Sequence, residues 1–168
     1  MDRIELEEVT AFTAGAIGQP GSRTFYLQAR TPTVSVSIKC EKGQVEALGQ
    51  FLGRMLEDLP NVTDMPHPSQ LDLVEPVTSI WVLGAMGIAY ETDIDRFVMQ
   101  LEEAIVTDEE GTPLEDPESQ GALRIKLTRG QVRSFVEHAK DIVAAGRPPC
   151  RWCSLPIDPD GHYCPRMN

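Results

Sequence analysis

Val34-Ser-Val-Ser-Ile-Lys-Cys-Glu-Lys-Gly-Gln-Val45 contains the change of period that decides the fold. Val34, Val36 and Ile38 alternate with Ser35, Ser37 and Lys39, as in a strand with one face buried. From Val45 onward the apolar residues fall instead at Leu48, Leu52, Met55, Leu56 and Leu59, which mark one face of a helix. A strand therefore runs directly into a helix.

The same succession returns downstream. Ile38-Lys39-Cys40 with Lys42-Gly43-Gln44-Val45 recurs as Ile125-Lys126-Leu127 with Arg129-Gly130-Gln131-Val132. Phe25-Tyr26-Leu27-Gln28 recurs as Phe97-Val98-Met99-Gln100, and Gly15-Ala16-Ile17-Gly18 as Gly84-Ala85-Met86-Gly87. The spacing between copies widens along the chain, which puts the larger insertion of the second copy between Leu101 and Leu123. Val132, Phe135, Val136, Ala139, Ile142 and Val143 repeat the helical stripe, and Thr128 with Gln131 forms a capping box at its start. Pro60 and Gly146 are expected to close the two helices.

Each copy thus reads as three strands and a helix, and the fold class is α+β. A lone three-stranded unit buries too little apolar surface to stand by itself. Two units are expected to join as a duplicated β-β-β-α arrangement, one antiparallel sheet with both helices on one face. The halves span about residues 9–59 and 79–146, joined by a proline-rich linker, residues 60–78; together they make a body of residues 1–147. Residues 148–168 form a separate tail.

The chain has 168 residues, enough for one ordinary core and an appendage. Fifteen Lys and Arg against 26 Asp and Glu give a net charge of −11, which repels phosphate backbones and anionic lipid alike. Direct nucleic-acid binding is not expected. No stretch approaches the ~20 apolar residues of a membrane span, and the opening Met-Asp-Arg-Ile-Glu lacks a secretion signature, so a cytoplasmic protein is expected.

Three of the four cysteines crowd the tail, a distribution that favours metal over disulfides in the cytosol. Cys150-Arg-Trp-Cys153 is followed by the turn-rich Pro156-Ile-Asp-Pro-Asp-Gly161 and then by His162-Tyr-Cys164. A Cys-x-x-Cys hook lets two thiolates converge on one ion, and His162 and Cys164 point the same way if their segment is extended. Cys150, Cys153, His162 and Cys164 then make a closed tetrahedral set, a small knuckle with structural zinc. The alternatives are a reduced, unliganded tail and a redox dithiol of Cys150 and Cys153. The second needs a helix N-terminus to activate its thiol, and here prolines flank the motif.

Other residues carry competing readings. Cys40 matches Leu127 in the second copy, so a small buried hydrophobe is expected there rather than a nucleophile. His67, in the linker, and His138, just off its helix face, have no acid or nucleophile assigned to them by spacing. The glycines at 15, 18, 84 and 87 lack the strand, turn and immediate helix of a phosphate site and are expected where strands bend. The acidic segment 107–119 reads as a solvated loop tip, with binding of cations or a basic partner as the alternative. Arg147, Arg151 and Arg166 surround Trp152 near the metal motif; they suit either a contact surface or packing against the body.

The tail pattern from Cys150 to Arg166 resembles that of an uncharacterised actinobacterial family known as domain of unknown function 3090, and Gly21-Ser-Arg-Thr-Phe-Tyr-Leu-Gln-Ala-Arg30 is similar to its N-terminal signature. The resemblance implies Cys150, Cys153, His162 and Cys164 as metal ligands. It also places Ser154 where members often have glycine or alanine. Members lie beside genes for a histidine-phosphatase-like and a lipid-kinase-like protein. One, ParJ, carries a name that ties it to the ParA chromosome-partition ATPase, which implies a ParA-type protein as partner. Two functions follow as expectations: a non-catalytic zinc-binding adaptor or regulator that meets a protein partner, as monomer or homodimer, or a small enzyme on a phosphorylated or thiol substrate using residues near the sheet, with His67 as a further candidate.

Overall fold

The computed structural model describes residues 3–146, 149–157 and 161–166. Its body has seven strands and two helices. In chain order these are β1 (Arg3–Leu6), β2 (Ala11–Ile17), β3 (Thr24–Arg30), β4 (Ser35–Cys40), α1 (Lys42–Glu57), β5 (Ser79–Glu91), β6 (Arg96–Glu103), β7 (Ala122–Leu127) and α2 (Arg129–Ala144). All strands lie in one sheet of order β1-β7-β6-β5-β4-β3-β2.

The α+β class stands, but the sheet is mixed where an antiparallel one was expected. β2-β3-β4 and β5-β6-β7 are antiparallel meanders, yet β4 pairs with β5 in parallel, and β1 with β7. The cause is the connection between β4 and β5. α1 and residues 58–78 carry the chain back to the starting end of the sheet, so β5 must run in the same direction as β4. β1, outside both expected halves, has the same parallel relation to β7.

Connectivity also makes the sheet curl. β1 and β2 lie at its opposite edges, about 29 Å apart if seven strands lay flat at ~4.8 Å spacing. The link from Leu6 to Ala11 reaches at most about 18 Å. The sheet therefore wraps towards closure, with the helices on its inner side. Phe12 of β2 stacks on Phe135 of α2 with ring centroids 4.8 Å apart, and Leu27, Ile38, Phe97, Met99, Ile125 and Leu127 join Val45, Leu48, Leu52 and Val132 in one core. α2 also guards the β2 edge, where His138 Nε2 lies 3.0 Å from the Ala14 carbonyl oxygen.

Both helices start as their sequences dictate. Thr128 Oγ1 accepts from the Gln131 amide while Gln131 Oε1 accepts from Thr128 N–H. Gln44 Oε1 does the same for Glu41 at α1. The ends differ from expectation: α1 stops at Glu57, before Pro60, and Gly146 does not take a left-handed φ.

Residues 66–75 form a strap across the outer face of β2-β3-β4 rather than a free linker. Thr13 Oγ1 donates to Leu71 O at 2.5 Å, and Arg30 Nη2 donates to Gln70 O at 2.5 Å. Gln28 Nε2 donates to Val74 O at 3.0 Å and Gln28 Oε1 accepts from Val74 N–H at 2.9 Å. Gly15 leaves space for Leu73, whose Cγ would lie 2.4 Å from any Cβ at that position. The strap explains why Thr13, Gln28 and Ser37 are buried although they face away from the helices.

Candidate metal centre

The tail gathers its ligands through a tight loop. Pro149 and Pro156 bridge in antiparallel fashion, Cys150 N–H donates to Leu155 O at 2.8 Å, and Ser154 N–H donates to Cys150 O at 2.9 Å. That turn brings Cys153 back beside Cys150. Ser154 has φ +63, a left-handed conformation in which glycine is unstrained and any residue with a Cβ is not. Gly161, φ +98, turns the chain into His162.

All four expected ligands meet. The Sγ atoms of Cys150, Cys153 and Cys164 and a ring nitrogen of His162 lie within 4.8 Å of one another. Cys150 Sγ to Cys164 Sγ is 3.8 Å, and Cys153 Sγ to His162 Nε2 is 3.7 Å. At a tetrahedral angle, metal–sulfur bonds of ~2.3 Å give a sulfur–sulfur edge of about 3.8 Å, and a metal–nitrogen bond of ~2.0–2.1 Å gives a sulfur–nitrogen edge of about 3.6 Å, so these two opposite edges are close to the required lengths. The longest separation would close by about 1 Å around an ion. The cysteines are free thiols, with the Cys150–Cys164 sulfurs far beyond bonding distance.

The loop is also built for thiolate. Amides of Cys153 and Trp152 aimed at the Cys150 sulfur pull its thiol down to about 6, with Trp152 N at 3.5 Å from Sγ. Desolvation pushes the Cys153 thiol the other way. Cys150 and Cys164 are buried, while Cys153 and His162 are half-buried. The arrangement could hold a metal ion with four protein donors.

Around it the knob presents apolar surface. Trp152 is 52% exposed, with the Arg151 guanidinium 5.0 Å above its ring, and Tyr163 is 74% exposed. Trp152 is thus a surface residue rather than a peg sunk into the body. Arg166 is exposed too. Arg147 and Pro148, and Asp158 to Asp160 of the expected turn, lie outside the described residues, as does the opening Met1-Asp2.

The chain belongs to the DUF3090 family. The model of that family, described as protein of unknown function, matches residues 4–164, a span that contains all four donors. No curated protein and no solved structure matches the chain.

The other sequence candidates take structural places. Cys40 is 3% exposed and pairs in register with Phe25 on β3, while Leu127 pairs in register with Phe97 on β6. Burial pushes its thiol up to about 12, which keeps it protonated and inert. His67 is exposed and caps the short 3-10 turn Pro68–Leu71, its Nδ1 accepting from Ser69 N–H at 3.2 Å. Gly84 sits at a β-bulge against the Ala104 backbone, and Gly18 has φ +108. Within the acidic segment, Thr107 bridges Pro113, and Asp108 and Asp116 accept backbone amides of their own turns.

Sequence reasoning missed Tyr90, Asp95 and Arg129. Tyr90 Oη donates to Asp95 Oδ1 at 2.5 Å, and Arg129 Nε donates to the same oxygen at 2.8 Å. Tyr90 and Asp95 flank one hairpin turn, but Arg129 lies 34 residues beyond Asp95 and no motif joins it to them. Among the described residues no helix is long and apolar enough to cross a membrane.

Proposed function

We propose that this protein is a non-catalytic adaptor or regulator whose tail, residues 148–168, is a zinc knuckle appended to the body, residues 1–147. The observation that carries the reading is the donor set. Three thiolates and one imidazole at tetrahedral spacing suit zinc, and four protein donors leave no coordination position for water or substrate. Zinc so bound ties the loop at Cys150 to the segment at His162 and fixes a small surface, on which exposed Trp152 and Arg151 supply anchors for a protein partner. A ParA-type ATPase is the first partner to test, because the family resemblance implies it. The body reads as two copies of one β-β-β-α unit, supported by the matched registers of Phe25 with Cys40 and Phe97 with Leu127.

The test combines elemental analysis with affinity capture. About one zinc per chain is expected in reduced protein, and Cys153→Ser should lose both the zinc and the captured partner while far-UV circular dichroism of the body is retained. Protein free of zinc that still captures its partner removes the proposal.

A further inference from the structure

The strap on the first half points to a second, open site on the other half. Gln28 lies opposite Thr13 and Ser37, and Gln100 lies opposite Gly87 and Arg124, so the two glutamines hold the same place in the two meanders. By the same register Arg30 corresponds to Glu102, Thr13 to Gly87 and Gly15 to Ala89. Gln28 is fully buried beneath the strap and reads the Val74 peptide with both ends of its carboxamide. Gln100 is exposed, and its Nε2 turns aside to Glu102 Oε1 at 2.7 Å. Above it lies an open depression of about 530 Å³ floored by Ala85, Gly87, Ala89 and Val98, and a Cβ on Gly87 would meet nothing within 4 Å.

We propose that the outer face of β5-β6-β7 binds an extended peptide of a partner protein in the manner of the strap, with Gln100 pairing to one of its peptide groups. A carboxamide in an open depression can exchange two bonds with any extended backbone, a mode that needs no particular side chain. Side-chain selectivity comes from the neighbouring exchange. Arg30 donates to strap carbonyls, whereas Glu102 can only accept and carries a negative charge, so a lysine or arginine of the bound peptide is favoured there. Arg124, opposite Gln100 in the place of Ser37, leans towards Glu5 and Glu91 at 3.9 and 4.0 Å, while Glu102 is the carboxylate in direct contact with Gln100. A second copy of this chain suits the site poorly, because its own strap carries Asp72 and Glu75 beside Leu73 and Val74. The site involves no tail residue, so it is independent of the zinc reading.

The probe is a fluorescent peptide of the strap sequence Pro66 to Val74 carrying Asp72→Lys, titrated into the full chain, with the unsubstituted peptide as control. The substituted peptide should bind and shift the amide resonances of Gly87, Ala89 and Gln100, leaving β2 and β3 unmoved. Gln100→Ala should weaken it about tenfold, the loss of two hydrogen bonds, and Glu102→Lys should invert the preference towards the unsubstituted peptide. Both side chains lie on the solvent side of the sheet, and the resonance mapping on the unmutated chain needs neither variant. Shifts confined to β2 and β3, stronger binding of the acidic peptide, Gln100-dependent dimerisation, or no binding at millimolar peptide would each overturn the proposal.

Discussion

Arg129, in the first turn of α2, holds Asp95 at the tip of the β5-β6 hairpin with two hydrogen bonds, Nε to Oδ1 at 2.8 Å and Nη2 to Oδ2 at 3.3 Å. The same guanidinium donates to Pro60 O at 2.9 Å, so one side chain joins the hairpin, the helix and the chain after α1. Asp95 has φ +51, a conformation that aspartate and asparagine tolerate better than most residues.

This contact makes stability depend on acid. The Arg129 guanidinium first, then the Tyr90 hydroxyl, hold the Asp95 carboxyl below the usual carboxylate range. A depressed folded-state pKa contributes stability that is complete above the unfolded value, about 3.9, and that is lost as pH falls through the folded value. Urea midpoints of the wild type and Asp95→Asn, which keeps the turn, should differ by a constant amount from pH 7 to about pH 5 and converge below about pH 4. A constant gap down to pH 2 would contradict the assignment.

Cysteine labelling should separate the core from the tail. With its thiol pushed up to about 12, Cys40 should resist iodoacetamide at pH 8 in the folded chain and react once urea is added. Cys150, Cys153 and Cys164 should be protected only until a chelator is present. Cys40→Ser, which buries an added hydroxyl between Phe25 and the core, should cost about 1–3 kcal/mol in denaturant melts.

The local signals in the sequence were the readable ones. Alternation at Val36 and Ile38, the stripe from Val45 to Leu52 and the Thr128 capping box each depend on neighbours within a few residues, and all three appear in the fold. The tail was readable for the same reason, since its ligands come from two short segments. The parallel joint of β4 with β5 was not, because strand direction is set by where α1 and the strap deliver the chain. The glycine match also misled. Gly15 pairs with Tyr26, a register that in the second meander belongs to Ala89 opposite Val98, so Gly84 is no counterpart of Gly15. Glycine recurs for unrelated reasons, here space for Leu73 and a bulge against Ala104.

Ser154 offers a test of the tail that leaves every ligand in place. At φ +63 a β-branched side chain is strained, while glycine is not. On the proposed zinc reading, Ser154→Gly should retain the ion and Ser154→Val should bind it about tenfold or more weakly in competition with a chromogenic chelator, a cost of about 1–2 kcal/mol. Losing a ligand outright, as in Cys164→Ser, should exceed the ~100-fold that loss of a supporting contact reaches.

Two glycines at matching places should respond to alanine with opposite sign. Gly43 is the second residue of α1 and Gly130 the second residue of α2, each between a basic residue and the glutamine of the cap. A Cβ on Gly43 meets nothing within 4 Å, so Gly43→Ala should raise stability by a few tenths up to about 1 kcal/mol through helix propensity. On Gly130 it would lie 2.0 Å from the Asp64 carbonyl oxygen and 3.4 Å from Val62 Cγ1, where the chain approaching the strap crosses the helix start. Backbone cannot swing aside as a flexible side chain can, and Gly130→Ala should lower stability by about 1–3 kcal/mol despite the better propensity. Denaturant midpoints of the two single variants decide the matter: if both rise, the segment at Asp64 does not lie against α2 as described.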